Sequence, residues 1–244
     1  MTTEPRLSDY RTHYRLDADL IEDPADLHPV RSASERRRLQ TIRRFLRLQP
    51  ASLVLDMGCG SGWFAQLCHE VGVRVVATDI ARAGVSGART RFPEAAQFAV
   101  TDAYHAALAD NSFDAVVLSE VVEHLDDPAA GLTEAVRVTK PGGRVLVTVP
   151  YRETIIEHLC VHCNQLTPAN AHLHRFDDDN LRQLLIGVGL QPLQMHHMTN
   201  KLLELVGFPD LSSRWPYWLW RGADGLLNGL TGKSAFLLLV ARKA

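Results

Sequence analysis

The sequence lacks several features that would assign it to a broad class of protein. Its 26 basic and 28 acidic residues leave a net charge of only −2, so we expect neither nucleic acid nor an anionic surface as a general partner. It contains no run of about 18 apolar residues, so we expect no transmembrane helix. The polar first residues show no apolar core of a signal peptide.

Cysteine is also scarce, with four residues in a chain of 244. Two of them, Cys59 and Cys68, lie in or beside a glycine-rich motif, without the regular spacing of a disulfide framework. We therefore expect a reducing, cytoplasmic location. The apolar share of 46% is enough to bury one large core.

The strongest positive signal is a glycine-rich turn. An apolar run that ends at Asp56 predicts a buried strand, and Gly58, Gly60 and Gly62 follow at alternate positions. The apolar spacing from Trp63 onwards predicts a helix. Strand, glycine turn and helix form the first unit of a nucleotide-binding α/β sheet.

Strands and helices then alternate along the chain. Further strands are predicted at 73–77, 97–100, 113–119, 144–149, 190–198 and 235–240, and helices at 85–91, 128–139 and 177–187. Together with the strand before the glycines, this predicts an α/β fold with a doubly wound, mostly parallel seven-stranded sheet and helices on both faces.

A helix through about Leu48 precedes the first strand, and Ser32 with Glu35 predicts its start as a capping box. Six arginines crowd this helix, which is typical of a solvated face, although a phosphate-binding face stays open. They are Arg36, Arg37, Arg38, Arg43, Arg44 and Arg47.

The predicted organisation is an N-terminal arm at 1–34 and one domain at 35–244, with insertions at about 151–176 and 199–233. The second insertion contains a tryptophan-rich cluster at 215–220. Such a cluster could be a lid over a hydrophobic acceptor, an interfacial membrane contact, a dimer surface or packed core.

Five landmarks in order along the chain carry a family resemblance, and two of them are Asp79 and Asp102. The acidic residue and glycines at 56–62, the segment Glu120-Val-Val-Glu-His124-Leu125 and the Pro-Gly-Gly at 141–143 resemble class I S-adenosylmethionine (SAM) dependent methyltransferases. The similarity is greatest to the small-molecule, quinone-biosynthesis-like group, and it covers residues 35–150 well. It implies a Rossmann-like methyltransferase fold, SAM as cofactor, and a small-molecule acceptor that is methylated at oxygen or carbon.

The resemblance also implies how SAM is held. Asp79 follows Gly58 by the spacing associated with ribose recognition, and Asp102 would accept from the adenine amino group. Ile80 and the backbone of Ala103 would contact the adenine, and the first motif would meet the amino-acid end. The predicted cofactor-binding residues are Asp56, Gly58, Gly60, Gly62, Asp79, Ile80, Asp102, Ala103 and Glu120.

Two other classes of function stay open. A dinucleotide fingerprint G-x-G-x-x-G would need its third glycine where Trp63 stands, which disfavours an NAD(P)-dependent oxidoreductase. The second is a non-catalytic methyltransferase-fold binding module that contains a structural zinc.

His124 is the first candidate for a general base, because histidine titrates near neutral pH. A structural role beside a neighbouring glutamate is an equal alternative. His172, in a segment that precedes a predicted helix, is the second candidate. Tyr10 and Tyr14 of the arm could close over the cofactor, although core packing is the simpler interpretation.

A metal site is the last candidate. Cys160, Cys163, His172 and His174 could form a tetrahedral zinc site, since CxxC is a common ligand spacing. The spacing from cysteine to histidine matches no common zinc finger, and two small thiols packed in a helix would show the same CxxC. Zinc is therefore a possible cofactor that the sequence does not decide.

Overall fold

The computed structural model describes residues 9–20, 23–24, 26–162 and 164–244. The strands are β1 (Leu53–Met57), β2 (Arg74–Asp79), β3 (Gln97–Val100), β4 (Phe113–Ser119), β5 (Thr139–Pro150), β6 (Glu157–Leu159), β7 (Leu166–Pro168), β8 (Leu190–Asn200) and β9 (Ser234–Lys243). The helices are α1 (Tyr10–Leu20), α2 (Pro29–Leu46), α3 (Trp63–His69), α4 (Arg82–Arg91), α5 (Pro128–Val138), α6 (Asp178–Gly187), α7 (Lys201–Leu205), α8 (Phe208–Leu211) and α9 (Tyr217–Thr231).

Seven of the strands form one sheet in the order β3-β2-β1-β4-β5-β9-β8. The pairs from β3 to β5 are parallel, whereas β9 runs antiparallel to both of its neighbours. The prediction of a mostly parallel seven-stranded sheet is therefore confirmed. Since the parallel strands share one direction, their carboxyl ends meet at one edge, where ligands of such sheets bind.

Helices cover both faces of the sheet. Leu132 of α5 and Leu181 of α6 pack in one buried apolar cluster, and Ile42 of α2 and Phe64 of α3 pack in the other. Strand β4 contributes alternate residues to the two clusters, as the period of two in a pleated strand requires. The central strand is thus buried on both faces, which explains its continuous apolar sequence.

The start of α2 differs from the prediction. The helix begins at Pro29, and the backbone N–H of Ser32 already donates to the carbonyl of His28 inside it. Proline suits the first turn because its missing N–H would have no helical acceptor there. The capping box of Ser32 and Glu35 is therefore wrong, and Glu35 instead forms an ion pair with Arg38.

The prediction that the arginines of α2 form a solvated face is also wrong for two of the six side chains. Arg37 and Arg38 are only 4% and 8% exposed. Arg37 donates to the backbone carbonyls of Ser212 and Trp215, each at 2.8 Å. It thereby fastens the chain between α8 and α9 to α2.

The two segments predicted as insertions have different structures. Strands β6 and β7 pair as a small antiparallel hairpin within 151–176, and Cys160 lies in its turn region and not in a helix. Helices α7 to α9 occupy most of 199–233. Trp220 is buried, whereas Trp218 is exposed, so core packing explains only part of the tryptophan cluster.

None of the helices in the described ranges combines the length and the apolarity needed to cross a membrane.

Candidate active site

A cavity of about 850 Å³ opens at the carboxyl edge of the parallel strands. The last residues of β1, β2 and β4, which are Met57, Asp79 and Ser119, line it together with α4 and α2. This is the point where the strand order turns from β1 towards β2 on one side and β4 on the other. Such a switch point is the usual ligand site of a doubly wound sheet, and the volume is in the usual range for small-molecule pockets.

The glycine turn forms the floor of the cavity. Gly58, Gly60 and Gly62 have φ values of +85°, +48° and +79°, the left-handed region that favours glycine. A Cβ atom on Gly58 would lie 2.3 Å from Cγ2 of Val121, whereas one on Gly60 would meet nothing within 4 Å. A Cβ atom on Gly62 would lie 2.9 Å from Cβ of Ala88. The turn therefore needs glycine for backbone conformation at all three positions, and for close packing at Gly58 and Gly62.

Two carboxylates stand at the ends of β1 and β2. Asp79 accepts hydrogen bonds from the backbone N–H groups of Gly60 and Ala81, each at 2.9 Å. Asp56 is buried, and its Oδ2 has no hydrogen-bond partner within the described part of the chain. Burial, followed by repulsion from Asp79, raises the pKa of Asp56 to about 7. A buried, unsatisfied carboxylate at a cavity favours a cationic ligand group.

A third carboxylate follows β3 and is engaged by the N-terminal helix. Oδ2 of Asp102 accepts from the hydroxyl of Tyr10 at 2.8 Å and from Nε of Arg11 at 3.2 Å. Its Oδ1 accepts from the backbone N–H of Tyr104. The predicted adenine acceptor is thus already paired with α1, a contact that the sequence did not indicate.

Glu120 is a fourth carboxylate that lines the cavity. It has a φ of +57°, which is strained for a residue with a side chain. Its Oε1 accepts from the hydroxyl of Thr148 at 2.9 Å and lies 3.8 Å from Nη1 of Arg38. Burial raises the pKa of Glu120 to about 7 although Arg38 opposes this.

Sequence reasoning missed Arg38, although its helical phase offered a signal. Arg38, Ile42 and Phe45 stand four and seven positions apart, so they share the face of α2 that packs on the sheet. A guanidinium on the buried face of a helix indicates that a polar partner is buried beside it.

The cavity brings most of the predicted cofactor residues together. Eight of the nine line it: Asp56, Gly58, Gly60, Asp79, Ile80, Asp102, Ala103 and Glu120. Gly62 lies behind them as the residue before α3. Their individual roles toward a cofactor stay predictions.

The predicted catalytic histidines lie side by side. His124 lines the cavity, and its ring centroid is 4.6 Å from that of His172, edge to face. Burial, with a contribution from His172, lowers the pKa of His124 to about 4, so its imidazole is neutral at pH 7. Nδ1 of His172 pairs with the carboxylate of Glu153.

Tyr14 of α1 also reaches the cavity. Its hydroxyl donates to the backbone carbonyl of His124 at 2.7 Å and accepts from the N–H of Asp126. Tyr14 therefore anchors α1 beside the histidines.

The predicted zinc site is not assembled by the described residues. Cys163 lies outside them, the ring of His174 hydrogen-bonds the carbonyl of Leu125, and His172 pairs with Glu153. In the ranges that the structure covers, the only group of three potential ligands close enough for one ion is Glu123, His124 and His172. Chain topology, and not local Cys-to-His spacing, decides which side chains meet.

Comparison with known proteins gives a consistent result. A family model described as a methyltransferase domain matches residues 31–195. A demethylmenaquinone methyltransferase of Renibacterium salmoninarum is 29% identical over 175 residues, which are 64% of this chain and 73% of that protein. A probable S-adenosylmethionine-dependent methyltransferase of Mycolicibacterium smegmatis is 35% identical over 144 residues, 57% of this chain and 51% of that protein. The chain thus spans about three quarters of the first relative and about half of the second.

The fold also resembles solved structures. The crystal structure of the [4+2]-cyclase SpnF matches with a TM-score of 0.63 and 19% identity, covering 85% of this chain and 80% of that one. At this identity the likeness concerns the fold alone.

Proposed function

The chain belongs to the class I S-adenosylmethionine (SAM) dependent methyltransferases, and we propose that it methylates an oxygen or carbon atom of a small, hydrophobic or aromatic acceptor. The observation that carries this proposal is the convergence of Asp56, Asp79 and Asp102 from three strand ends on one cavity beside the glycine turn. The membership agrees with the resemblance found in the sequence.

The residues of the cavity fit SAM. The orphaned Oδ2 of Asp56 suits the ammonium of the amino-acid end, since a charge-assisted bond would satisfy it. Asp79 has oxygens at the end of β2 for the ribose diol. Asp102 with Ala103 and Ile80 would meet the adenine, and this requires Asp102 to share or exchange its bonds with Tyr10 and Arg11.

When bound, SAM supplies an electrophilic methyl group, so the chain has mainly to position the acceptor and exclude water. Tyr14 and Leu125 line the cavity on the side of His124. A relative named for demethylmenaquinone supports an acceptor of the quinol type. His124 touches this space as a neutral imidazole, and with a pKa of about 4 it suits acceptors whose hydroxyl is acidic.

A nicotinamide-dependent oxidoreductase finds no support. Trp63 opens α3 where the fingerprint needs glycine, and its ring packs edge to face on Phe92. The insertion of the antiparallel β9 between β5 and β8 also differs from the sequential 3-2-1-4-5-6 strand order that is usual in that fold. The buried thiols of Cys59 and Cys68 suit the proposed cytoplasmic setting.

The test uses methyl-labelled SAM with a panel of quinols, phenols, sugars and carboxylic acids. We expect label in a quinol or phenol, with His124→Ala lowering turnover but hardly changing the affinity for SAM. Equal losses of turnover and SAM affinity in that variant would assign His124 a structural role. Binding of SAM without transfer to any acceptor would instead favour the non-catalytic module.

A further inference from the structure

The cavity extends to both sides of the point where the strand order turns. Asp79 and Asp102 follow β2 and β3, on one side of β1. Phe236 of β9 and Glu204 of α7 line the cavity beyond β4, on the other side. The first side carries the residues that fit the cofactor. The second side is therefore the space left for the acceptor.

Glu204 on this second side has a carboxylate oxygen to spare. Its Oε1 accepts from the hydroxyl of Ser34 of α2 at 2.6 Å. Glu120, which follows β4 between the two sides, uses its Oε1 for the hydroxyl of Thr148. Among the described residues neither Oε2 has a hydrogen-bond partner. Each of these oxygens can accept from a ligand.

The neighbouring hydrogen-bond donors are already in use. The guanidinium of Arg38 donates to Glu35 and to the hydroxyl of Ser119. The hydroxyl of Tyr14 donates to the carbonyl of His124. A ligand carboxylate or carbonyl would have to displace one of these bonds, whereas a ligand hydroxyl can donate to Glu204 without loss.

Arg31 is the cation that could reverse this preference. It lines the cavity, but its side chain is exposed, so solvent and salt screen its charge. Glu204 is only partly exposed and is held by the buried Ser34. We therefore expect Glu204 to outweigh Arg31 in recognition of the acceptor.

A buried polar network fixes α7, which carries Glu204. Asp224 of α9 accepts from the backbone N–H groups of Thr199 and Asn200 at 2.9 and 2.7 Å. Oδ1 of Asn200 caps α7 by accepting from the N–H of Leu202 at 3.0 Å. Thr199 has a φ of +62°, a strained value that persists only where the surroundings enforce it. The end of β8 and the start of α7 are thus held by α9.

The network continues along α9. Nδ2 of Asn200 donates to Oδ1 of Asn228 and to the hydroxyl of Thr231, each at 2.9 Å. Nδ2 of Asn228 donates to Asp224 at 3.0 Å. Asp224 and Asn200 are only 2% and 1% exposed. A buried network of this kind is rigid and costly to break, so it keeps α7 and Glu204 against Ser34.

We propose that Glu204 determines specificity for the acceptor by accepting a hydrogen bond from a hydroxyl group away from the methylated atom, and that Asp224 and Asn228 position it. An anionic group in that place would be repelled by the carboxylate and rejected. Glu204 lies in the second insertion, beyond the residues 31–195 that the methyltransferase family model matches. The inference rests on the proposed function, which places the acceptor in this cavity.

Three phenols that differ in the group para to the hydroxyl test the role of Glu204. Hydroquinone carries a donor hydroxyl there, para-methoxyphenol an oxygen without a donor hydrogen, and para-hydroxybenzoate an anion. Their affinities are measured by calorimetry with S-adenosylhomocysteine, the demethylated product of SAM, present. We expect hydroquinone to bind about 10- to 100-fold more tightly than either of the others, as for one hydrogen bond to a charged group.

Glu204→Gln keeps the size of the side chain and removes its charge. It should reduce the preference for hydroquinone over para-methoxyphenol to under about threefold, and strengthen binding of para-hydroxybenzoate at least about fivefold. Asp210→Asn, at an exposed acid of α8, is the matched control and should keep the original preference. Asn228→Ala should lower the preference because α7 loosens. A merely structural role of Asn228 would weaken hydroquinone and para-methoxyphenol equally.

The role of Glu204 is overturned if none of the three phenols binds, if hydroquinone is not preferred, or if Glu204→Gln leaves the preference unchanged. Preferred binding of para-hydroxybenzoate that Arg31→Ala abolishes would assign specificity to Arg31 instead. Equal weakening of both neutral phenols in Asn228→Ala would overturn the positioning role. Circular dichroism confirms that each variant folds.

Transfer of label from SAM is measured separately from these affinities. A protein that prefers hydroquinone through Glu204 but methylates no acceptor refutes the proposed function and leaves this binding site standing. A protein that methylates phenols without any preference set by Glu204 retains the proposed function and refutes this inference.

Discussion

Gly58→Ala probes how the glycine turn holds the site together. Gly58 has a φ of +85°, and the added methyl would lie 2.3 Å from Cγ2 of Val121. A left-handed conformation costs an L-residue about 1–2 kcal/mol. Forcing a methyl into a packed site costs a further ~1–3 kcal/mol. We therefore expect the free energy of unfolding to fall by roughly 2–5 kcal/mol.

Urea unfolding of matched variants separates the two contributions. Gly60→Ala meets no atom within 4 Å at a φ of +48°, so it should lose only the conformational part. Val121→Ala removes the clashing methyl, and in the Gly58→Ala background it should recover about 1–3 kcal/mol. The reasoning is refuted if Gly58→Ala and Gly60→Ala lose equal free energy, or if Val121→Ala and Gly58→Ala are simply additive.

Three further predictions concern charged and polar contacts. Burial raises the folded pKa of Asp56 to about 7 from 3.8, so its contribution to stability is complete below pH 4 and is lost as the pH rises to 7. Asp56→Asn should remove this pH dependence, which amounts to about 4 kcal/mol at most in the free energy of unfolding between pH 4 and 8, measured by urea titration. An unchanged dependence of the free energy of unfolding on pH would contradict the role of Asp56. Arg37→Ala should lower the free energy of unfolding by about 2–4 kcal/mol, because the backbone carbonyls after α8 lose their hydrogen-bond donor. The same change at the exposed Arg36 should lower it by under about 0.5 kcal/mol. Equal losses in the two variants would refute the anchoring role of Arg37. Tyr10→Phe should tighten SAM binding by about 2- to 10-fold in calorimetry, since adenine would no longer compete for Oδ2 of Asp102; weaker binding would place Tyr10 in the cofactor site.

The parallel sheet and its ligand edge could be predicted because their signals are local. The glycines at alternate positions after Asp56 indicate a tight turn of the backbone. The alternating apolar segments predict the strands and helices. The ends of β3 and β4 agree with the prediction, since turn residues follow both strands. The same logic explains why Asp79 and Asp102 reach one cavity.

The rest of the site depends on contacts between distant parts of the chain. The pairing of Tyr10 with Asp102 requires α1 to lie over the cavity, and no local pattern encodes that position. The sequence offers His172 both as a second candidate base and as a zinc ligand with the nearby cysteines, whereas the fold brings it close to Glu123 and His124. The charge of Arg38 favours a solvated position, whereas its phase in α2 places it among buried residues.

The central claim is that the cavity beside the glycine turn binds SAM, and calorimetric titration tests it most directly. The account predicts one SAM per chain for the unaltered protein and no binding of NAD. Asp79→Asn, which keeps an acceptor for Gly60 but removes the charge offered to the ribose, should weaken SAM binding by roughly 10- to 100-fold. Binding of NAD without SAM, or an unchanged affinity for SAM in Asp79→Asn, would contradict the account.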